Sequence, residues 1–142
     1  MPTIILETFI NAPANVCFDL TRDPRVHTNS TITADGEIAA GQRVTFEGRH
    51  FGRRQKFTVE VIECERPRVF VDEMRQGAFS SFRHVHEFSE LGGGTLMTDT
   101  IIWVSPFEIL GRLADKLFIE GYLRRLVATR NMKLKEIAEA AN

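Results

Sequence analysis

Apolar and polar residues alternate along most of this chain, and the period of that alternation changes near its end. Ile4, Leu6 and Ile10 alternate with polar neighbours such as Glu7, which predicts a strand over 4–10. Asn11-Ala12-Pro13-Ala14 then opens a short helix carrying Val16, Cys17, Phe18 and Leu20, with proline suited to a first helical turn. Asp23-Pro24 redirects the chain, and 25–41 is polar, expected to hold a second short helix and a loop. From Gln42 the period is two. Val44, Phe46, Gly48 and His50 form one strand face, and Phe57, Val59 and Val61 another. Further strands are expected over 68–74, 80–89 and 95–104, with turns at Phe51-Gly52-Arg53, Arg66-Pro67, Gln76-Gly77 and Gly92-Gly93-Gly94.

After Val104 the period becomes helical. Ser105-Pro106-Phe107-Glu108 fits a capping box, with Ser105 at the N-cap and Glu108 three residues on. Leu110, Leu113, Leu117, Leu123, Leu126, Val127, Leu134 and Ile137 then make an apolar stripe with no proline to interrupt it. One helix of ~30–35 residues would be roughly 45–52 Å long. Gly111 and Gly121 are the places where it would bend. Such a helix must lie across the sheet. The expectation is a single α+β domain over 1–142, with two short helices after the first strand. Its curved antiparallel sheet of about six strands wraps around a long C-terminal helix.

Composition narrows the function classes. The net charge of −1 lacks the basic footprint of a DNA-binding protein. No apolar run reaches the ~20 residues of a membrane span, and the N-terminal residues do not resemble a signal peptide. Cys17 and Cys64 have no CxxC partners, so reduced thiols in the cytoplasm are expected. Eleven phenylalanines against one Trp and one Tyr are the main compositional bias. Phe46, Phe57, Phe70, Phe82 and Phe88 share the inward parity of their strands, and Phe118 is placed on the helix facing them.

Several segments resemble one family. They are Arg49-His50-Phe51-Gly52, Asp72-Glu73-Met74 with Gly77-Ala78-Phe79, His84-Val85-His86-Glu87-Phe88, and Gly93-Gly94-Thr95-Leu96-Met97-Thr98-Asp99. Ser105-Pro106, Leu110-Gly111-Arg112-Leu113-Ala114-Asp115, Tyr122-Leu123-Arg124-Arg125 and Arg130-Asn131 complete the set. Together they resemble the START-like (SRPBCC) superfamily, of the polyketide cyclase/dehydrase and lipid-transport type, in its small bacterial branch. The resemblance implies the helix-grip fold and a ligand space between sheet and helix. It does not imply one chemistry, because the fold hosts carriers, cyclases, hydrolases and binding modules.

The candidate chemistry lies on the inward faces. His84 and His86 are two apart on one strand and share parity with Phe82 and Phe88. If Phe88 pairs with Met97, His86 stands opposite Asp99. Such a pair can act as a general acid/base, or it can be a buried polar network in a wet cavity. His-x-His followed by Glu90 evokes a cupin metal motif, but no histidine follows on a later strand, so no metal and no cofactor is expected. His50 shares parity with Phe46 and can reach the same space. Asp72 lies on the aromatic side of its strand and reads as a solvated strand end.

The leading expectation is a binding protein, more non-catalytic than enzymatic, for a small hydrophobic molecule such as a lipid, isoprenoid or aromatic polyketide. Its ligand residues would be Phe46, His50, Phe57, Phe70, Phe82, His84, His86, Phe88, Asp99, Trp103 and Phe118. One alternative is a cyclase, dehydrase or hydrolase using His86 with Asp99 and aided by His84. Another is an RNA- or protein-interaction module using the basic hairpin 49–56. A monomer or a homodimer fits each of these.

Overall fold

The computed structural model describes residues 2–27, 30–34, 36–50 and 52–141. Strand β1 (Thr3–Ile10) leads into α1 (Ala14–Leu20) and a 3-10 turn (Pro24–Val26). Six strands follow: β2 (Thr31–Ala34), β3 (Arg43–His50), β4 (Arg53–Glu65), β5 (Val69–Gln76), β6 (Ser81–Leu91) and β7 (Gly94–Val104). The chain closes with α2 (Glu108–Ala114), a π-helical segment (Asp115–Ile119) and α3 (Glu120–Ala140).

The strands form one antiparallel sheet of seven in the order β1-β7-β6-β5-β4-β3-β2. The first strand therefore joins the last, and the rest is a meander. The expected count of about six falls short by β2, a short strand at the sheet edge whose only apolar side chain of any size is Ile32. The β6–β7 register pairs Phe88 with Met97 and His86 with Asp99, as the parity argument requires. Gly92 and Gly93 have φ of 56° and 84°, the left-handed conformation of a two-residue hairpin turn. Register shifts in β4 near Thr58 and Val61 mark bulges, which raise the local twist and help curve the sheet around the helices. The tight turn expected at Phe51-Gly52-Arg53 includes Phe51, which lies outside the described residues.

The C-terminal helix corrects two expectations. It is not one uninterrupted α-helix, because a π-helical stretch separates α2 from α3. Nor does Ser105 cap it. Its hydroxyl is given to the Asp115 carboxylate, and Phe107 and Glu108 enter the helix with φ of 68° and 38°. Asp115 also accepts Trp103 Nε1–H at 2.9 Å, so one buried carboxylate ties α2 and the π-segment to the end of β7. Gly111 is needed at this junction, since a Cβ there would sit 2.2 Å from the Pro106 carbonyl oxygen.

Two groups of buried apolar residues flank the middle of the sheet. Phe18, Phe70, Phe88, Met97, Leu134 and Ala138 pack under α1 and the end of α3. Ile4, Ile101, Trp103, Leu123 and Val127 pack under the start of α3.

Candidate functional site

The concave face of the sheet and the undersides of α2 and α3 enclose a cavity of about 460 Å³. Phe46, Phe57, Phe79 and Phe82 supply aromatic wall, and Ile119 and Leu126 close it from the helix side. All four histidines of the chain, His27, His50, His84 and His86, border this space. Period-two alternation puts the strand residues there. His27 arrives from the turn after α1, its Nε2–H donating to the Thr21 carbonyl at 2.8 Å and its ring tilted against Phe46. His50 Nδ1 meets the Tyr122 hydroxyl, which joins the β3 end to α3 across the cavity.

The cavity floor is a buried network of charge. His84 Nε2 donates to Asp99 Oδ1 at 2.7 Å, and His86 Nε2 donates to Asp72 Oδ2 at 3.0 Å. Both bonds are diagonal. Asp99 pairs in register with His86, and Asp72 with His84, yet each carboxylate bonds the other imidazole. The rings of His84 and His86 stack at 3.7 Å, and Phe70 stacks on His86 at 4.0 Å. From α3, Arg130 Nη2 donates to Asp99 Oδ1 at 2.7 Å and Asn131 Nδ2 to Asp99 Oδ2 at 2.8 Å. Arg130 Nη2 also donates to the Asn131 side-chain oxygen at 2.8 Å. Arg22, just past α1, pairs with Asp72 and lies over the rings of Phe46 and Phe70.

Two guanidinium groups thus face two carboxylates, and the network balances without a charged histidine. Burial opposes charge on Asp99, but Arg130 and the bond from His84 outweigh it, and the carboxyl is held well below the usual carboxylate range. Burial, reinforced by His84 and Arg130, holds His86 well below the ordinary imidazole value, so that ring is neutral. Its Nδ1 lies 3.5 Å from Asp99 Oδ1 without a hydrogen bond, because the neutral ring carries its proton on Nε2 and Nδ1 has none to donate. Burial, and Arg130 after it, push His27 down to about 4, and burial lowers His50.

His84, His86 and Asp99 each offer a donor atom within 4.8 Å of the others, which is a spacing a cation could use. Both Asp99 oxygens are committed, and the Arg130 guanidinium occupies the approach. A cation there would have to displace Arg130. Glu90, the third member of the cupin-like pattern, is exposed near the end of β6.

The expected site residues divide. Phe46, His50, Phe57, Phe82, His84 and His86 come together around the cavity. Asp99 lies beneath them, bonded to His84 and not to the expected His86. That corrects the His86–Asp99 dyad. His84 carries the bonded pair, while His86 is stacked between the rings of His84 and Phe70. Phe70 and Phe88 are packed into the closed core with Phe18, and Trp103 is buried with its N–H on Asp115. Phe118 is 63% exposed and points away, because the π-helical segment changes the phase of the stripe.

The network members Arg22, Asp72, Arg130 and Asn131 were not anticipated. Asp72 is buried, not a solvated strand end, because Arg22 comes from outside the sheet to meet it. The helix pair did carry a signal. Arg130 and Asn131 fall on the inward stripe between Val127 and Leu134, where a polar pair needs buried partners.

Comparisons with known proteins agree with this architecture. Residues 1–139 match the family described as polyketide cyclase / dehydrase and lipid transport. No curated protein matches the chain. Among solved structures, TTHA0849 from Thermus thermophilus superposes with a TM-score of 0.83 at 20% identity, covering 99% of both chains. Ara h 8.0201 gives 0.74 at 9% identity over 99% of each chain. The di-domain ARO/CYC BexL from the BE-7585A biosynthetic pathway gives 0.78 at 14% identity, over 97% of this chain and 50% of that one. At these identities the likeness is one of fold. The curved sheet gripping a C-terminal helix, and the match over nearly the whole length, place the chain in the polyketide cyclase / dehydrase and lipid transport family, of START-like (SRPBCC) type.

Proposed function

We propose that the protein binds a small, mostly apolar molecule bearing one polar group, held between the sheet and α2–α3. The carrying observation is the cavity of about 460 Å³ with aromatic walls and a floor of fixed polarity. That volume suits a molecule of drug or lipid-fragment size. His84 lines the cavity with its Nε2–H committed to Asp99, and a ring protonated there leaves Nδ1 as an acceptor, for which a ligand hydroxyl is the complementary donor. The apolar class is compatible with lipid, isoprenoid or aromatic polyketide. Cys17 and Cys64 are free, which fits a reducing compartment such as the cytoplasm.

The experiment is calorimetric titration with 2-naphthol and with naphthalene. The hydroxyl should strengthen binding by about 1 kcal/mol, roughly fivefold. His84→Leu should erase that preference while leaving naphthalene binding intact. Ala114→Trp, which fills the cavity from α2, should abolish both. Absence of binding by the wild type, or unchanged binding by Ala114→Trp, would sink the reading.

A second reading, that the site also catalyses proton transfer as in a cyclase or dehydrase, is favoured by the same bond. Asp99 fixes the His84 tautomer, which is how a carboxylate prepares a general base. An α-proton of a bound ketone would pass to His84 Nδ1, leaving an enolate, and return to carbon. Deuterium uptake by 2-tetralone in D₂O should then be accelerated by the wild type and not by His84→Gln. Equal uptake with both proteins would remove this reading and leave binding untouched.

A further inference from the structure

The segment from Phe107 to Phe118 turns its apolar side chains outward. Phe107 is 81% exposed, Ile109 73%, Leu110 72%, and Leu113 and Leu117 are more than half exposed. A contiguous exposed apolar run of this kind marks a contact surface. Its orientation is fixed. Gly111 is pressed against Pro106, and Asp115 is anchored by Trp103 and Ser105. These two residues are four apart and define the inward face of the segment. Ile109, Leu113 and Leu117 lie on the opposite side, and rolling the segment inward to bury them would break both ties.

The surroundings are basic. Arg112 and Lys116 are exposed on the same segment, against one exposed acid, Glu108. The β3–β4 hairpin borders the same cavity through His50, Gln55 and Lys56, and it carries exposed Arg49, Arg53, Arg54 and Lys56. Arg54 and Lys56 approach Glu47 only at 3.8 and 4.0 Å, and both remain largely exposed. Phe107 and Leu110 line the cavity and also meet solvent, so the apolar stripe is the rim of the cavity mouth.

We propose that this rim docks on an anionic lipid surface. Ile109, Leu113 and Leu117 would enter the headgroup–acyl boundary, while Arg112, Lys116 and the hairpin arginines meet the lipid phosphates. An apolar stripe flanked by Lys and Arg is the composition of an interfacial helix. A second copy of the chain is a poorer occupant. In a two-fold dimer the patch meets itself, and the apolar segment would set Arg112 and Lys116 against their own copies with Glu108 as its one exposed acid. Docked in this way, the cavity mouth opens onto the source of apolar ligand.

The test is co-sedimentation with vesicles of phosphatidylcholine alone and of phosphatidylcholine mixed with phosphatidylglycerol. Binding is expected to the mixed vesicles, weakening as salt rises and about fivefold for each basic charge removed in Arg53→Gln and Arg54→Gln. The double variant Ile109→Glu with Leu113→Glu should lose vesicle binding by at least about tenfold. Neither residue lines the cavity, so this variant should bind 2-naphthol in solution like the wild type. Loss of vesicle binding therefore cannot be confused with loss of the ligand site. The proposal is overturned by no association with mixed vesicles, or by unchanged association of the double variant. Dimers in size-exclusion chromatography that the double variant splits, without vesicle binding, would also overturn it. Binding to poly(U) in place of vesicles would do the same.

Discussion

The two ends of the sheet use the same residue type for opposite purposes. Under α1, Phe18 meets Phe70 and Phe88 with ring centroids 5.2 and 5.4 Å apart, and Leu134 and Ala138 of α3 close the remaining space. At the other end, Phe57 meets Phe82 at 4.9 Å and Phe79 at 6.5 Å, but these rings also face the cavity. What differs is the cover. One end is sealed by an amphipathic helix with its apolar side inward. The other is covered by α2 and the π-segment, which give Gly111, Ala114, Asp115 and Ile119 to the inside and leave Ile109, Leu113, Leu117 and Phe118 exposed. Between the two lies the network of Arg22, Asp72, His86, Asp99 and Arg130, a polar floor that ends the apolar core and begins the cavity.

The largest effect is expected from removing the centre of that floor. Asp99→Ala leaves Arg130 without its carboxylate and strips partners from His84 and Asn131. Urea denaturation should show a loss of about 3–5 kcal/mol, the cost of breaking a buried ion pair from one side. A loss under about 1 kcal/mol would mean that the network is hydrated rather than sealed. Next comes the contrast between the ends. Phe18→Ala should cost about 3–5 kcal/mol as a core truncation. Phe82→Ala, whose ring already borders open space, should cost about half of that or less. Equal costs would contradict the difference in packing.

Acid should act on the same boundary. In the unfolded chain His27 titrates near 6.5, and in the fold it is pushed down to about 4. As pH falls between these values the unfolded state takes up the proton first. Stability that is fully present above pH 6.5 is therefore lost toward pH 4, by about 2–3 kcal/mol from this group. His86 is lowered too and has the same sign. Urea midpoints at pH 7 and pH 4.5 for the wild type and His27→Gln measure the His27 share. A variant with the same pH dependence as the wild type would show that His27 does not contribute.

The sheet was legible because parity over several strands leaves little freedom. Once Phe88 is set opposite Met97, His86 must face Asp99, and it does. The short edge strand was not, since Thr31–Ala34 offers only Ile32 to a pattern search. The floor was half legible. His84 and His86 follow from alternation, but which carboxylate each one bonds depends on diagonal geometry within the curved sheet. Arg22 reaches Asp72 across fifty positions of sequence, and no local pattern records that contact. The capping box failed for a similar reason. Ser105 had the right neighbours, but its hydroxyl is taken by Asp115, ten residues on. Of the phenylalanines, parity identified the inward ones but could not separate those that fill a core from those that line a space.

Only the open end of the sheet is expected to receive a ligand. The most direct measurement is a two-dimensional NMR titration of the isotope-labelled protein with 2-naphthol. Shifts should concentrate on Phe46, Phe57, Phe82, His84 and Tyr122, and leave Phe18, Phe88 and Leu134 in place. Shifts centred on the α1 end, or none at saturating ligand, would contradict it.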